Sequence, residues 1–301
     1  MLLGIAIGDA FGAGYEFAFK DRKDYQNVDL SRYSANPNPD FRHQEGIYTD
    51  DTQMSIAIAE LLADDVPFTS ENLADYFLRT YKRDPKVGYA KGFQAFLNSI
   101  STKEEFLSQI KSDSERNGAA MRSIPIGIIP DLEKVVEYAK INAKLTHNTP
   151  KGISSSIIIA SAAHFQIYGY PVNNIISKEI DTETLGYITR ILKMKHFDPI
   201  LLFGEKNKDK GVPCNAMRTI GAVIYLLDRQ YHYLKDILAE AVKLGGDTDS
   251  VTSISLGLTM IKRQVSELPA HFYDHLTNDK YGRDYLIALG DRLAKRFKIN
   301  S

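Results

Sequence analysis

Two short acidic stretches carry the residue types best suited to chemistry in this chain. Gly245-Gly246-Asp247-Thr248-Asp249-Ser250 holds two carboxylates one residue apart, with hydroxyls beside them and a glycine pair that lets the backbone turn sharply. Thr49-Asp50-Asp51-Thr52, far earlier, sets two adjacent carboxylates between hydroxyls. Carboxylate and hydroxyl oxygens without clustered Cys or His are hard ligands, which implies Mg²⁺, Mn²⁺ or Ca²⁺ rather than zinc. The alternating acids, central glycine and distal Glu of an EF-hand are absent. Taken singly, each stretch reads as an ordinary helix N-cap. If the two meet in space, Asp50, Asp51, Asp247 and Asp249 share one pocket, with Thr49 and Ser250 adding hydroxyl ligands. Like charges raise one another's pKa, so such a pocket cannot stay fully ionised without cations. Two divalent ions would neutralise it, and a two-metal site can hold both an attacking and a leaving oxygen.

Other segments offer weaker chemistry. Asn117-Gly118-Ala119-Ala120-Met121-Arg122 reads as a glycine-containing turn running into a helix, a common cradle for phosphate. Thr146-His147-Asn148 places a histidine just before a helix. No Walker loop occurs, and Gly12-Ala13-Gly14 is not completed to GxGxxG, so nucleotide fingerprints of those kinds are excluded. Ser154-Ser155-Ser156 does not make a nucleophile elbow.

The elements that must position these groups read as helices throughout. Residues 2–15 form an apolar segment rich in small residues, Gly4, Ala6, Gly8, Ala10 and Gly12, which suits close helix packing inside a core. Asp9 lies within it; a buried carboxylate needs partners, and a neighbouring helix end is the expected one. Residues 18–47, with Asn36-Pro37-Asn38-Pro39-Asp40, form a long polar loop of the kind that serves as a lid or binding loop, and Glu16 stands where the first helix hands over to it. Apolar periodicity predicts helices over 52–63, 70–82, 87–98, 103–110, 118–129, 132–144, 152–168, 182–195, 216–228, 234–243, 251–266 and 281–297, with caps at Thr69 and Asp131. Strand-like alternation is scarce. The expectation is an all-α fold, one compact multi-helix domain over residues 1–301.

Composition fits an ordinary globular protein. Of 301 residues, 44% are hydrophobic and 25% charged, and 37 Lys and Arg balance 38 Asp and Glu. That near-neutral balance gives no field to attract nucleic acid or a membrane surface. One cysteine, Cys214, rules out an internal disulfide and a thiolate zinc site. No apolar run is long enough to span a bilayer, so a cytoplasmic protein is expected.

Taken in order, these motifs resemble the ADP-ribosylglycohydrolase family, which includes the dinitrogenase reductase-activating glycohydrolase and the ADP-ribosyl-acceptor hydrolases. The matching pieces are Gly8-Asp9-Ala10 with Gly12 and Glu16, Tyr48-Thr49-Asp50-Asp51-Thr52, Asn117-Gly118 with Ala120-Met121-Arg122, Thr146-His147, and Gly245-Gly246-Asp247-Thr248-Asp249-Ser250. The resemblance implies an all-α fold with a binuclear Mg²⁺ cleft, Mn²⁺ being the alternative ion. Thr49, Asp50, Asp51, Asp247, Asp249 and Ser250 would then be metal ligands. Asn117 and Gly118 would hold a diphosphate, His147 would contact a ribose, and Glu16 would sit on a flap at the metals. Glu16, Asp50 and Asp247 are the expected catalytic groups, and Tyr89, Phe93 and Tyr48 the expected adenine contacts. The implied activity is hydrolysis of the N- or O-glycosidic bond between ADP-ribose and an acceptor, whether a protein side chain, a small molecule or a nucleic acid. The alternatives are an ADP-ribose-binding or structural member of the fold without hydrolase activity, and a metal phosphoesterase. Members acting on arginine-linked ADP-ribose commonly carry an Asp two residues before a glycine in this region; Pro85-Lys86-Val87-Gly88 puts Lys86 there. Generic glycosidases work with paired carboxylates and no metal, so metals that bind sugar hydroxyls would set this mechanism apart.

Overall fold

A row of glycines sets the central helix pair. The structure, a computed structural model, describes residues 1–41, 43–169 and 178–299. Helix α1 (Leu2–Ala13) is buried almost end to end. A Cβ added at Gly8 would lie 2.4 Å from Thr252 O, and one at Gly12 would lie 2.5 Å from Thr248 O. Only glycine permits so close an approach, so α1 lies backbone to backbone against a later helix, Thr248–Thr259. Threonine hydroxyls stitch the pair: Thr252 Oγ1 donates to Gly8 O and Thr248 Oγ1 to Gly12 O, each at 2.7 Å.

Around this pair the described chain runs through α2 (Asp50–Ala63), α3 (Ser70–Arg83), α4 (Lys91–Ser99), α5 (Lys103–Gln109), α6 (Gly118–Met121), α7 (Leu132–Thr146) and α8 (Pro150–Tyr168). It continues through α9 (Thr182–Leu192), α10 (Pro199–Phe203), α11 (Ala216–Leu227), α12 (Leu234–Lys243), α13 (Thr248–Thr259), α14 (Ala270–Asp274) and α15 (Arg283–Phe297). Among the described residues there is no β-strand, only isolated bridges at Asp113–His147 and Val212–Gly246. The fold is all-α, as expected.

Where helix bounds depart from the sequence reading, local chemistry explains it. The predicted helix 118–129 is α6 plus a 3₁₀ turn, Ile124–Ile128, because Pro125 has no N–H to continue the α ladder. Helix α4 starts at Lys91 rather than 87, since Gly88 takes φ +105° and the loop before it doubles back over α2. Helix α13 starts at Thr248 rather than 251, which carries the second acidic stretch into its first turn. The short α10 and α14 were not predicted; each has too few residues for a periodic signal. The caps at Thr69 and Asp131 form, accepting from Asn72 N–H and from the Glu133 and Lys134 N–H groups. The 18–47 loop holds two 3₁₀ turns, Arg22–Gln26 and Pro39–Phe41, and its described residues contain no α-helix.

Candidate active site

Asp9 is fully buried and accepts hydrogen bonds from Thr49 N–H (2.9 Å), Thr49 Oγ1 (2.7 Å), Thr52 N–H (3.0 Å) and Thr52 Oγ1 (2.6 Å). A carboxylate on one helix thus caps the next, in place of the cap that Thr49 does not supply itself. This is the neighbouring helix end expected for it. The bonds fix α2 with Asp50 and Asp51 at its first turn.

The second stretch is aimed by its glycines. Gly245 and Gly246 adopt φ +69° and +77°, and a Cβ at Gly246 would fall 2.1 Å from Val212 O. No residue with a side chain fits there. The turn is pinned by Val212 N–H to Gly245 O (3.0 Å) and by Asp247 N–H to Val212 O (2.9 Å). Asp247 and Asp249 therefore emerge at the head of α13.

The two acidic turns meet. Ser250 Oγ donates to Asp51 Oδ2 at 3.2 Å, across 199 positions of sequence. Glu16, Asp247 and Asp249 each offer a carboxylate oxygen within 4.8 Å of the other two. Asn117 Nδ2 donates to Asp247 Oδ2 at 2.7 Å, which brings the glycine turn to the same place. Asp50, Asp51, Asp247, Asp249 and Ser250 are all buried. Of the expected ligands, Thr49 alone is not in the wall of the cleft described below; its hydroxyl is committed to Asp9.

Burial and mutual repulsion dominate this pocket. Desolvation first, then the Asp9 charge, holds Asp50 and Asp51 well above the usual carboxylate range. Asp249 is pushed well up by burial, then by Glu16 and Asp247. Glu16 is raised by burial, then by Asp247 and Asp50. Burial also raises Asp247, against the hydrogen bonds it accepts. Asp51 Oδ1 is buried with no hydrogen-bond donor among the described residues. An all-oxygen donor set, an orphaned carboxylate oxygen and this shared strain fit hard divalent cations.

The acidic pocket lines part of a cleft of about 610 Å³. Tyr89, Phe93 and Phe96 supply aromatic faces to its wall, and Asn117, Gly118 and His147 also line it. Gly88 closes over the pocket: a Cβ there would lie 2.1 Å from Asp50 Oδ1, and the neighbouring Val87 O accepts from Asp50 N–H at 3.0 Å. Of the residues expected to contact adenine, Tyr89 and Phe93 line the cleft. Tyr48 does not; its hydroxyl donates to Tyr281 O at 2.8 Å, and its ring lies 4.9 Å from Lys86 Nζ. Lys86 is also held away from the cleft, paired with Asp84 at 2.9 Å and Asp279 at 3.5 Å.

His147 is set by a relay to which sequence reasoning gave no role. Arg122 Nη2 donates to Thr146 Oγ1 (2.6 Å), so the threonine proton is free to go to His147 Nδ1 (2.7 Å). The imidazole then carries its own proton on Nε2. Burial, then the Arg122 and Arg116 charges, lowers the His147 pKa to about 3, so the ring is a neutral donor at physiological pH. Arg122 itself is 1% exposed and also bonds Asn142 Oδ1 (2.7 Å) and Asn142 O (3.1 Å). A charged residue inside the largely apolar stretch from Ala119 to Ile129 was the available signal. Cys214 lines the cleft beside Asp247 as well, and nothing in the sequence marked it.

The profile of the ADP-ribosylglycohydrolase family matches residues 1–301. The chain belongs to the ADP-ribosylglycohydrolase family. Among relatives of this family member, ADP-ribosylhydrolase ARH3 of Xenopus tropicalis is 28% identical over 301 residues, covering 96% of this chain and 80% of that protein. The ADP-ribosyl-[dinitrogen reductase] glycohydrolase of Rhodospirillum rubrum is 24% identical over 282 residues, covering 91% and 88%. A solved structure described as an ADP-ribosylglycohydrolase-related protein complex superposes with a TM-score of 0.68 at 20% identity, over 98% of this chain and 95% of that one, and shares the fold. This ADP-ribosylglycohydrolase family member is thus related to glycohydrolases along its whole length. None of its described helices is long and apolar enough to cross a membrane.

Proposed function

We propose that the protein is a divalent-metal-dependent hydrolase of the bond between the anomeric carbon of ADP-ribose and an acceptor. The observation that carries this reading is the meeting of Asp50 and Asp51 with Asp247 and Asp249 through Ser250, with Glu16 beside them. Asp50, Asp51, Asp247, Asp249 and Ser250, with Thr49 behind them, would hold Mg²⁺, as two ions, with Mn²⁺ as substitute. When bound, these ions would neutralise the carboxylates and grip vicinal hydroxyls of the ribose.

The remaining work belongs to side chains. His147 Nε2–H donates to a ribose hydroxyl without introducing a positive charge. Asn117 and Gly118 present N–H groups to the diphosphate. The expected helix behind them is the single turn α6, so direct hydrogen bonds, rather than a helix dipole, account for the hold. The aromatic wall of Tyr89 and Phe93 suits the adenine. Holding the ring in one orientation lowers the entropic barrier to water attack. Asp50 or Asp247 takes the proton from that water, and Glu16, which burial disposes to keep its proton, gives one to the departing acceptor. As oxocarbenium-like positive charge develops at the anomeric carbon, the fixed carboxylates stabilise it.

Position 86 bears on the acceptor. Family members acting on arginine-linked ADP-ribose commonly carry a carboxylate at this position, whereas Lys86 is turned from the cleft and committed to Asp84 and Asp279, so no carboxylate from position 86 meets a guanidinium. The reading therefore favours a neutral, O-linked acceptor on a protein or small compound. Defined arginine-, serine- and nucleotide-linked ADP-ribose substrates, each incubated with Mg²⁺ or with EDTA, test it. Release of free ADP-ribose from the serine-linked substrate, abolished by EDTA, is the expected result. Release of inorganic phosphate with no ribosyl bond cut would contradict it.

A further inference from the structure

The proline-broken segment Asn36-Pro37-Asn38-Pro39-Asp40 has no part in the reading above, yet it touches the backbone that carries Glu16. Phe17, the next residue, has φ +44°, a left-handed conformation that costs a bulky side chain energy. Something must hold it. Phe17 N–H donates to Gly246 O at 2.8 Å, within the glycine turn that aims Asp247. From the other side, Asn38 Nδ2 donates to Phe17 O at 2.8 Å, and Asn36 Nδ2 donates to Glu16 O at 2.7 Å and to Ala13 O at 2.9 Å.

The sequence of this segment prepares those bonds. Each asparagine precedes a proline, which biases its backbone toward extended geometry. Each carboxamide is then oriented by its own loop: Asn36 Oδ1 accepts from Asn38 N–H (2.9 Å), and Asn38 Oδ1 accepts from Asp40 N–H (3.1 Å). With both oxygens occupied, both NH₂ groups face the Glu16–Phe17 turn. Ring packing of Phe17 on Phe41 (5.1 Å between centroids) closes the contact.

We propose that Asn36 and Asn38 are positioning residues for Glu16: together they hold the strained Glu16–Phe17 turn so that the Glu16 carboxylate stays beside Asp247 and Asp249. The inference rests on the reading of Glu16 as a group of the active site. Neither asparagine lines the cleft; both act through backbone carbonyls.

The informative variant is Asn38→Asp, which keeps the oxygen that accepts from Asp40 N–H and removes only the donor to Phe17. Its kcat is expected to fall about tenfold with KM within about threefold of wild type. Chymotryptic nicking after Phe17 or Phe19 in the folded protein is expected to speed up about tenfold, as local opening becomes easier. Asn38→Ala, assayed in parallel with a thermal unfolding check, guards against an effect of the new charge. The decisive arm is Phe17→Gly. Glycine adopts positive φ freely, so in that background Asn38→Asp is expected to cost less than about threefold in kcat. Wild-type kcat and nicking rate in both Asn38 variants would overturn the proposal. So would an undiminished loss in the Phe17→Gly background. Glu16→Gln separates the two levels of argument: if it leaves turnover intact, the role given to Glu16 fails, and the nicking rates alone then decide whether the asparagines hold the turn.

Discussion

Two buried polar clusters border the same cleft, and they are satisfied in opposite ways. Around Arg122, a guanidinium, the Asn142 carboxamide and the hydroxyls of Thr146, Ser123 and Ser156 answer one another: Asn142 Nδ2 donates to both serine oxygens at 3.1 Å, and Ser156 Oγ donates to Ala139 O at 2.8 Å. A single positive charge is dispersed over neutral dipoles, and the Phe77 ring faces the guanidinium carbon at 4.5 Å. Around Asp247 the members are nearly all of one sign. Carboxylates face carboxylates, Asp51 Oδ1 has no donor among the described residues, and burial raises every acid present. The first cluster is complete as protein and holds His147 rigid. The second is complete only with cations, which is why a pocket costly to fold is useful to fill.

Substitutions can break this contrast. The largest effect is expected for Asp247→Asn. Turnover should fall by about a thousandfold or more, a loss of about 4 kcal/mol of transition-state stabilisation, together with Mg²⁺ affinity. The metal-free protein should unfold at the same temperature or higher, because one buried like charge is gone. Calorimetric Mg²⁺ titration and thermal unfolding check both halves. Arg122→Met should do the reverse: it leaves Asn142 and Thr146 acceptors buried and unpaired, and urea denaturation should register a loss of about 3 kcal/mol. Thr146→Val keeps shape but removes the proton that fixes the His147 tautomer. KM should rise about tenfold with Mg²⁺ affinity unchanged, measured by initial rates. Ser250→Ala is expected to be mildest of the active-site changes, with Mg²⁺ affinity down about tenfold because a neutral hydroxyl ligand and the partner that orients Asp51 are lost while every carboxylate remains.

Much of this was legible before any coordinates. The small-residue pattern of α1 marked a buried helix, and Asp9 inside it had to find a helix end. The two acidic stretches announced themselves by doubled carboxylates and by Gly245-Gly246. Legibility failed where a role depends on a partner distant in sequence. Arg122 and Thr146 are unremarkable apart, and their relay to His147 exists only because α6 packs beside α7. Tyr48 was among the expected adenine contacts, but the turn sends it toward Lys86 and Tyr281 instead. The Pro-rich 36–40 stretch read only as part of a lid or binding loop, because its carboxamides act on backbone, which leaves no trace in residue type at positions 16 and 17.

The central claim is that cations complete the acidic cluster, and pH exposes it. These carboxylates have folded-state pKa values raised above unfolded values of about 4. Without metal, the stability they contribute is present below that pH and is lost as pH rises through the raised values. Mg²⁺ competes with those same protons. The direct measurement is the thermal midpoint from pH 5 to pH 8, with EDTA and with saturating Mg²⁺. The account predicts that the increment given by Mg²⁺ grows steadily as pH rises and disappears in Asp247→Asn. A midpoint indifferent to Mg²⁺ at every pH would contradict it.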